Sequence, residues 1–418
     1  MLAGADGEAA ALAMRLLVAL GEAAGAARMI EVRSAHIDSC LFHGLAGLEF
    51  AERLVAGDGR VRVPTTLNVA ALDLLHPARV RLDPATTALA RRQLDAYLAL
   101  GGRPTFTCAP YQLPARPALG EHVAWAESNA IVFANSVLGA RTDRYGDFSD
   151  ICAALTGRVP LAGLHVSAQR RATIAFELPD LPAEAWARAE LHAVVGHVVG
   201  LRAGTRVPAL VGLPPTTSVD QLKQLGAAAA SSGAVALCHV VGVMPEAPSL
   251  ADATGGRRVP VVRLSRADLR AGWDELSTGT RTDAATADGS ALGAVSLGTP
   301  HMSLAELEAL APRLDDLVVA AGVTLYVSTG RDNATALAAR GLLGAFERPG
   351  VVLVTDTCTY ITPILDPGVR VAMTNSAKWA WYAPANLGLD VFFGTLDDCL
   401  ASAAAGRVIR ERPRWLVG

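Results

Sequence analysis

The sequence predicts an α/β fold in which mostly parallel sheets are flanked by helices. Three observations predict it. Short apolar runs alternate with helix-length amphipathic segments through the C-terminal half. The strand–helix–strand spacing is that of crossover units, which give parallel sheets covered on both faces. Capping signals stand where the helices should begin.

In chain order, residues 5–28 read as a helix, Asp38–Val55 as a second that runs through Gly44 and Gly47, and Pro84–Leu100 as a third closed by Gly101–Gly102. Val207–Leu213 is a strand, Ser218 the N-cap of a helix to about Ala230, and Ala234–Val241 the next strand. The stretch 247–260, with Pro248, Gly255, Gly256 and Pro260, reads as a surface loop or a lobe boundary. Ala294–Leu297 is a strand. Ser303 and Glu306 form a capping box ahead of a helix to about Leu314. Val323–Val327, Val351–Thr355 and Val369–Met373 are strands, with Asn333–Phe346 helical between the first two. The 418 residues suggest more than one lobe, divided here as 1–200 and 201–418.

Hydrophobic residues make up 51% of the chain and charged residues 18%, enough apolar material for large cores and too much for a disordered chain. The net charge is −3 and no basic run stands out, so neither nucleic acid nor an anionic membrane is an expected partner. The uncharged stretch 225–245 holds three Gly, two Ser, a His and a Pro, and splits into a helix end and a strand instead of a membrane span. Asp6 and Glu8 sit where a secretory leader would be basic, so a cytoplasmic location with reduced cysteines is expected. There is no phosphate-binding G-x-x-x-x-G-K, no G-x-G-x-x-G after a strand, and no H-E-x-x-H, C-x-x-C or G-x-S-x-G.

The remaining candidates are isolated thiols and polar segments in apolar frames. Cys108 lies in TCAPYQLP, Cys358 just past a strand in VLVTDTCTYITP, and Cys399 near a helix start in FFGTLDDCL. Three thiolates could hold an iron–sulfur cluster and leave one iron open as a Lewis acid; burial as small hydrophobes is the ordinary fate of such residues. Cys40, Cys152 and Cys238 read as core, the last inside a strand. Thr65, Thr66 and Asn68 in VPTTLNV, with Glu127, Asn129, Asn135, Ser136, Arg141 and Thr142 between 127 and 148, either bond one another or line a pocket for a small polar substrate. Arg141 suits a carboxylate. His36, beside Asp38 in SAHIDSC, and Lys378 in TNSAKWAWYAP are candidate proton-transfer groups, or a structural His and an ion-paired Lys.

The segments TTLN, TCAPYQ, WAESNAIVFANSVLGARTDRYGDF, ICAALTGRVP, VVGVMPEAP, TDTC, TNSAKWAWYAP and FGTLDDC together resemble the aconitase X family, from about residue 30 to 410. The resemblance implies an aconitase-like, multi-lobed core and an iron–sulfur hydro-lyase. It implies a substrate of cis-3-hydroxy-L-proline, dehydrated to 1-pyrroline-2-carboxylate, or alternatively mevalonate 5-phosphate. It raises Cys108, Cys358 and Cys399 to expected cluster ligands, His36 and Lys378 to catalytic residues, and Thr65, Thr66, Asn68, Glu127, Asn129, Asn135, Ser136, Arg141 and Thr142 to substrate contacts. In this family a small swivel piece closes the site. No such piece is read in this chain, so it is expected to be the large subunit of a heterodimer whose small chain carries a serine base. A cluster-bearing regulatory or RNA-binding protein is the alternative of another class.

Overall fold

The computed structural model describes residues 1–278 and 291–416. Parallel sheets dominate it. Five parallel strands run in the order Val351–Val354, Thr324–Thr329, Ala294–Met302, Val371–Thr374 and Asp390–Phe393. Four more run in the order His239–Val240, Pro208–Val211, Ile174–Glu177 and Val261–Arg263. A three-stranded parallel sheet near the N-terminus orders Thr65–Leu67, Ala35–Ile37 and Ala124–Trp125. Met29–Glu31 pairs antiparallel with Arg158–Pro160.

The five-stranded sheet shows why the chain reads as α/β. Its strands are apolar on both faces. Val295, Leu297, Leu325, Val327, Met373 and Phe392 pack into one core with helices Leu304–Asp315, Arg331–Ala339 and Leu396–Ala405. Their neighbours Ala294, Tyr326, Ala372, Val391 and Phe393 pack into the other, with helix Ala377–Leu387. Side chains of period two therefore serve two cores at once. The second core continues into helices Ala189–Ala203 and Val219–Ser232. The first of these is buried around most of its circumference, as befits a helix inside the molecule.

The capping boxes act as the sequence implies. Ser303 and Glu306 exchange bonds at the start of Leu304–Asp315, Ser218 does so with Gln221, and Thr395 with Asp398. Several boundaries differ, each for a local reason. The first helix spans Glu8–Ala23, and a turn then leads into the strand Met29–Glu31. The second begins at Leu45, because Gly44 has φ +132° and the amides of Asp38 and Ser39 donate to the Asp150 carboxylate at 2.9 and 3.0 Å. The strand expected over 234–241 shrinks to His239–Val240: Asn135 donates to the Ala236 carbonyl and the Cys238 amide donates to Ser136, so side chains satisfy this backbone. Cys238 therefore precedes its strand. Helix Arg331–Ala339 stops before Gly341 at φ +72°, and a 3-10 turn over Leu343–Glu347 replaces its second half. The loop 247–260 contains the capped helix Leu250–Thr254. Among the described residues, no helix is long and apolar enough to cross a membrane.

Helices Ala189–Ala203 and Val219–Ser232 meet backbone to backbone. A Cβ on Gly196 would stand 2.1 Å from the Leu225 carbonyl oxygen, and one on Gly200 2.7 Å from that of Ala229. Forcing a methyl into such a contact costs about 1–3 kcal/mol. Gly196→Ala is expected to lower unfolding stability by that amount in a urea titration; an unchanged midpoint would refute the close packing.

Candidate active site

Ligand sites in parallel α/β sheets gather beyond the carboxyl ends of the strands. A cavity of about 400 Å³ lies there, against the five-stranded sheet. Thr299 on the central strand, Cys358 and Tyr360 beyond the edge strand Val351–Val354, and Lys378, Tyr382 and Asn386 on helix Ala377–Leu387 form one wall. The N-terminal region supplies the other: Asp38, Leu41, His43, Asn68, Cys108, Glu127, Arg144 and Tyr145.

The two thiols are positioned by their neighbours. The His301 amide donates to Cys108 Sγ at 3.3 Å, and Asn129 Nδ2 donates to the Cys108 carbonyl at 2.9 Å. Thr107 Oγ1 lies 3.1 Å from His301 Nδ1, tying the cysteine's segment to the long strand. Cys358 Sγ lies 3.8 Å from Thr299 Oγ1. Its loop is held by Asp356, at φ +65°, which takes a bidentate ion pair from Arg331 and a bond from the Leu74 amide at 3.1 Å. Burial pushes the Cys108 thiol up to about 12 and the Cys358 thiol up to about 11. Both are protonated at neutral pH unless a cation draws the proton off.

In the same cavity, Lys378 Nζ forms a buried ion pair with Glu127 and reaches Ser128 Oγ at 3.3 Å. Glu127 also caps helix Ser128–Ser136, accepting from the Ala130 amide at 2.8 Å. Burial opposes its charge, but Lys378 and the helix amides hold its carboxyl below the usual range. Asp38 has the opposite balance. Burial and the neighbouring Glu127 charge push it up to about 7, although Asn68 donates to it. Two carboxyls in one cavity therefore differ in protonation near neutral pH, the condition for separate acid and base roles.

Of the residues expected from the sequence, Asn68, Glu127, Lys378, Cys108 and Cys358 line the cavity. Asn129 stands behind Cys108. The others lie elsewhere. Cys399 is wholly buried in helix Leu396–Ala405, in the core with Met373 and Phe392, on the other face of the sheet from Cys108 and Cys358. The Thr395–Asp398 box sets that helix so that Cys399 turns into the apolar core, which corrects its expected role as a ligand. His36 is buried with Nδ1 2.9 Å from Thr66 Oγ1, and burial pulls it down to about 4; it is a neutral strand residue outside the cavity lining. Thr65 donates to the Val63 carbonyl, and Thr66 lines a separate groove with Arg103 and Trp125. Asn135, Ser136 and Thr142 are consumed by backbone contacts. Arg141 donates to the His165 carbonyl and Ser167 Oγ. Among the described residues no three His, Cys, Asp or Glu side chains converge to hold a metal ion.

Sequence reasoning passed over Arg144, Tyr145, Thr299 and Tyr360, and saw in Asp38 a polar neighbour of His36. Asp38, directly after a buried strand, carried a usable signal; Arg144 and Tyr145 sit in an irregular loop that offers none.

Removing one partner of a buried ion pair leaves the other charge unpaired, at about 3–5 kcal/mol. Glu127→Gln and Lys378→Met should each destabilise by about that much in urea unfolding, and the double variant by clearly less than their sum. Additive losses would show that the two charges do not depend on each other.

Models of three aconitase X domains match the chain: the first domain over residues 1–168, the second over 172–274 and the third over 292–405. The cis-3-hydroxy-L-proline dehydratase of Pseudomonas aeruginosa is 42% identical over 100% of this chain and 70% of its own length. That of Hypocrea jecorina is 40% identical over 99% and 69%. The phosphomevalonate dehydratase large subunit of Methanothermobacter thermautotrophicus is 38% identical over 94% of each chain. The solved structure of Thermococcus kodakaraensis aconitase X, a holo-form, superposes with a TM-score of 0.84 at 31% identity, over 96% of this chain and 97% of that one. On this agreement of sequence along its whole length and of fold, the chain belongs to the aconitase X family.

Proposed function

We propose that this chain forms the substrate cavity of a hydro-lyase that removes water from cis-3-hydroxy-L-proline and yields 1-pyrroline-2-carboxylate. The observation that carries this reading is the charge inventory of the cavity: two carboxyls, Asp38 and Glu127, and one exposed guanidinium, Arg144. Lys378 is already paired with Glu127. Arg144 can take the substrate carboxylate in a two-point contact. Asp38, when ionised, complements a cationic ring nitrogen. Leu41, Val69, Ile131 and Ile361 supply apolar contact for the ring and exclude water. Asp38, with its proton poised near neutrality, can hold or release one at its carboxyl oxygen. The relatives named as dehydratases of this compound, at 40–42% identity, support the same substrate.

The donor set fits a thiolate-bound metal group in part. Cys108 and Cys358, two buried thiols on the cavity wall, would hold an iron–sulfur cluster. When bound, such a group supplies a Lewis acid for the substrate hydroxyl. Relatives named as large subunits support a small partner chain, and we place the base that removes the substrate C–H proton on that chain.

Dehydration of mevalonate 5-phosphate is the second reading. It is favoured by the 38% identity to an archaeal large subunit named for that reaction. With Lys378 spent on Glu127, Arg144 is the cation the cavity lining leaves for a phosphate dianion, and one guanidinium is a poor cradle for it. In an assay of the iron-loaded enzyme with its partner, cis-3-hydroxy-L-proline should be consumed and mevalonate 5-phosphate left intact; the reverse would establish the second reading. Cys108→Ser and Cys358→Ser should lose bound iron and activity, while Cys399→Ala keeps both. Arg144→Met should raise KM about tenfold or more, the loss of one charge-assisted contact.

A further inference from the structure

We propose that Tyr145, His165 and His122 form a proton relay between solvent and the cavity, in which Tyr145 exchanges the proton with the reacting substrate. The inference rests on the cavity being the site of dehydration. Tyr145 lines the cavity, and its hydroxyl is hydrogen-bonded to His165 Nε2. His165 Nδ1 lies 2.8 Å from His122 Nδ1. His165 is buried, whereas His122 is half-buried and reaches the surface.

The contact between two ring nitrogens is what makes this a wire. A neutral imidazole carries one N–H and one lone pair. Burial, then His122 and the nearby Arg170 and Arg141, pull His165 down to about 3; burial and the same arginines lower His122. Both rings are neutral at pH 7. With Nδ1 facing Nδ1, the bonds must all point one way. In one orientation His122 Nδ1–H donates to His165, His165 Nε2–H donates to Tyr145, and the phenol proton is free for the cavity. In the other every bond is reversed. One collective shift interconverts them and moves one proton end to end.

The surroundings hold this geometry. Arg141 donates to the His165 carbonyl at 3.2 Å and its backbone bridges to that of His122. The Asp143 carboxyl accepts from the Arg144 amide at 2.9 Å and bonds the Leu164 amide, clamping the Tyr145 loop to the His165 turn. Gly163 leaves room for it: a Cβ there would fall 1.6 Å from Asp143 Oδ2.

The proton balance closes over a turnover. The substrate C–O bond breaks with its electron pair on oxygen, and the Tyr145 phenol proton completes the water. Tyr145 takes the Nε2 proton of His165, His165 takes the Nδ1 proton of His122, and His122 takes one from bulk water at Nε2. The base on the partner chain passes the proton it took from the substrate C–H to the Tyr145 oxygen, the Tyr145 hydroxyl proton moves to His165 Nε2, and the reverse shift releases one from His122 Nε2 and restores the loaded orientation. One proton enters, one leaves, and none is consumed.

Two measurements test the relay. In protein labelled with 15N at histidine, a through-hydrogen-bond N–N coupling should join His122 and His165; its absence overturns the proposal whatever the activity. In the iron-loaded enzyme with its partner, His122→Ala should lower kcat on cis-3-hydroxy-L-proline about 100-fold, a usual scale for lost proton transfer. KM should change little, and added imidazole should restore much of kcat. Tyr145→Phe should lose kcat without rescue. Wild-type turnover in the same assay tests the dehydratase reading separately. An unchanged kcat in His122→Ala, or a loss that imidazole leaves untouched, would overturn the relay alone.

Discussion

Glu127 and Lys378 stand 251 positions apart in the chain and meet as a buried ion pair at the wall of the cavity. Each charge has lost its water, at a cost of several kcal/mol that only the partner and the surrounding bonds offset. Neither can withdraw alone. Glu127 is held at φ +76°, a conformation that costs a non-glycine residue about 1–3 kcal/mol. The strain is sustained because the same carboxylate caps a helix and meets the ammonium. The pair thereby fixes helix Ser128–Ser136 against helix Ala377–Leu387, and the rest of the site follows. From the first helix Asn129 holds the Cys108 carbonyl. From the N-cap of the second, Ser376 donates to the Thr299 carbonyl, and the Thr299 hydroxyl meets Cys358. Two thiols from distant parts of the sequence come to one cavity through bonds that begin at one ion pair.

The three expected cysteine ligands differ in what surrounds them. All three are buried and all three have raised thiol pKa values, so neither property separates them. Location does. Cys108 lies in the irregular segment 104–109 and Cys358 past the end of strand Val351–Val354, each with polar neighbours and a nearby ammonium. Cys399 lies in a regular helix with apolar neighbours. The TDTC segment announced Cys358, since a cysteine past a buried strand faces the place where ligands gather, whereas TCAPYQLP offered Cys108 as an isolated thiol. The helix cap ahead of Cys399 was equally legible, and read with the helical period it points that thiol into the core.

Long periodic elements were readable, and short or side-chain-satisfied ones were not. Pro84–Ala99 emerged nearly as expected because Asp83 caps it and Pro84 opens it. The five-stranded sheet was visible as apolar runs because both its faces are covered. The strands at 35–37, 65–67 and 124–125 have three residues or fewer, too few for an alternation to register. Polar residues between 127 and 148 were visible as a group, but their division was not. Asn135, Ser136 and Thr142 serve the backbone, Glu127 serves the cavity, and Arg141 holds a histidine turn. That division depends on which loops lie beside them, and periodicity says nothing about loops. Of the set near the N-terminus, Asn68 reaches the cavity because it follows the strand Thr65–Leu67 at its carboxyl end, whereas Thr65 and Thr66 are spent within the sheet.

The central claim is that chemistry occurs in the cavity bounded by Cys108, Asp38 and Arg144 on one wall and by Cys358 on the other. Anomalous X-ray scattering at the iron edge, from crystals of the iron-loaded protein, tests it most directly. The account predicts an iron peak within bonding distance of both Cys108 Sγ and Cys358 Sγ, inside the cavity. A peak at Cys399, or iron bound with neither cavity thiol as ligand, would contradict it.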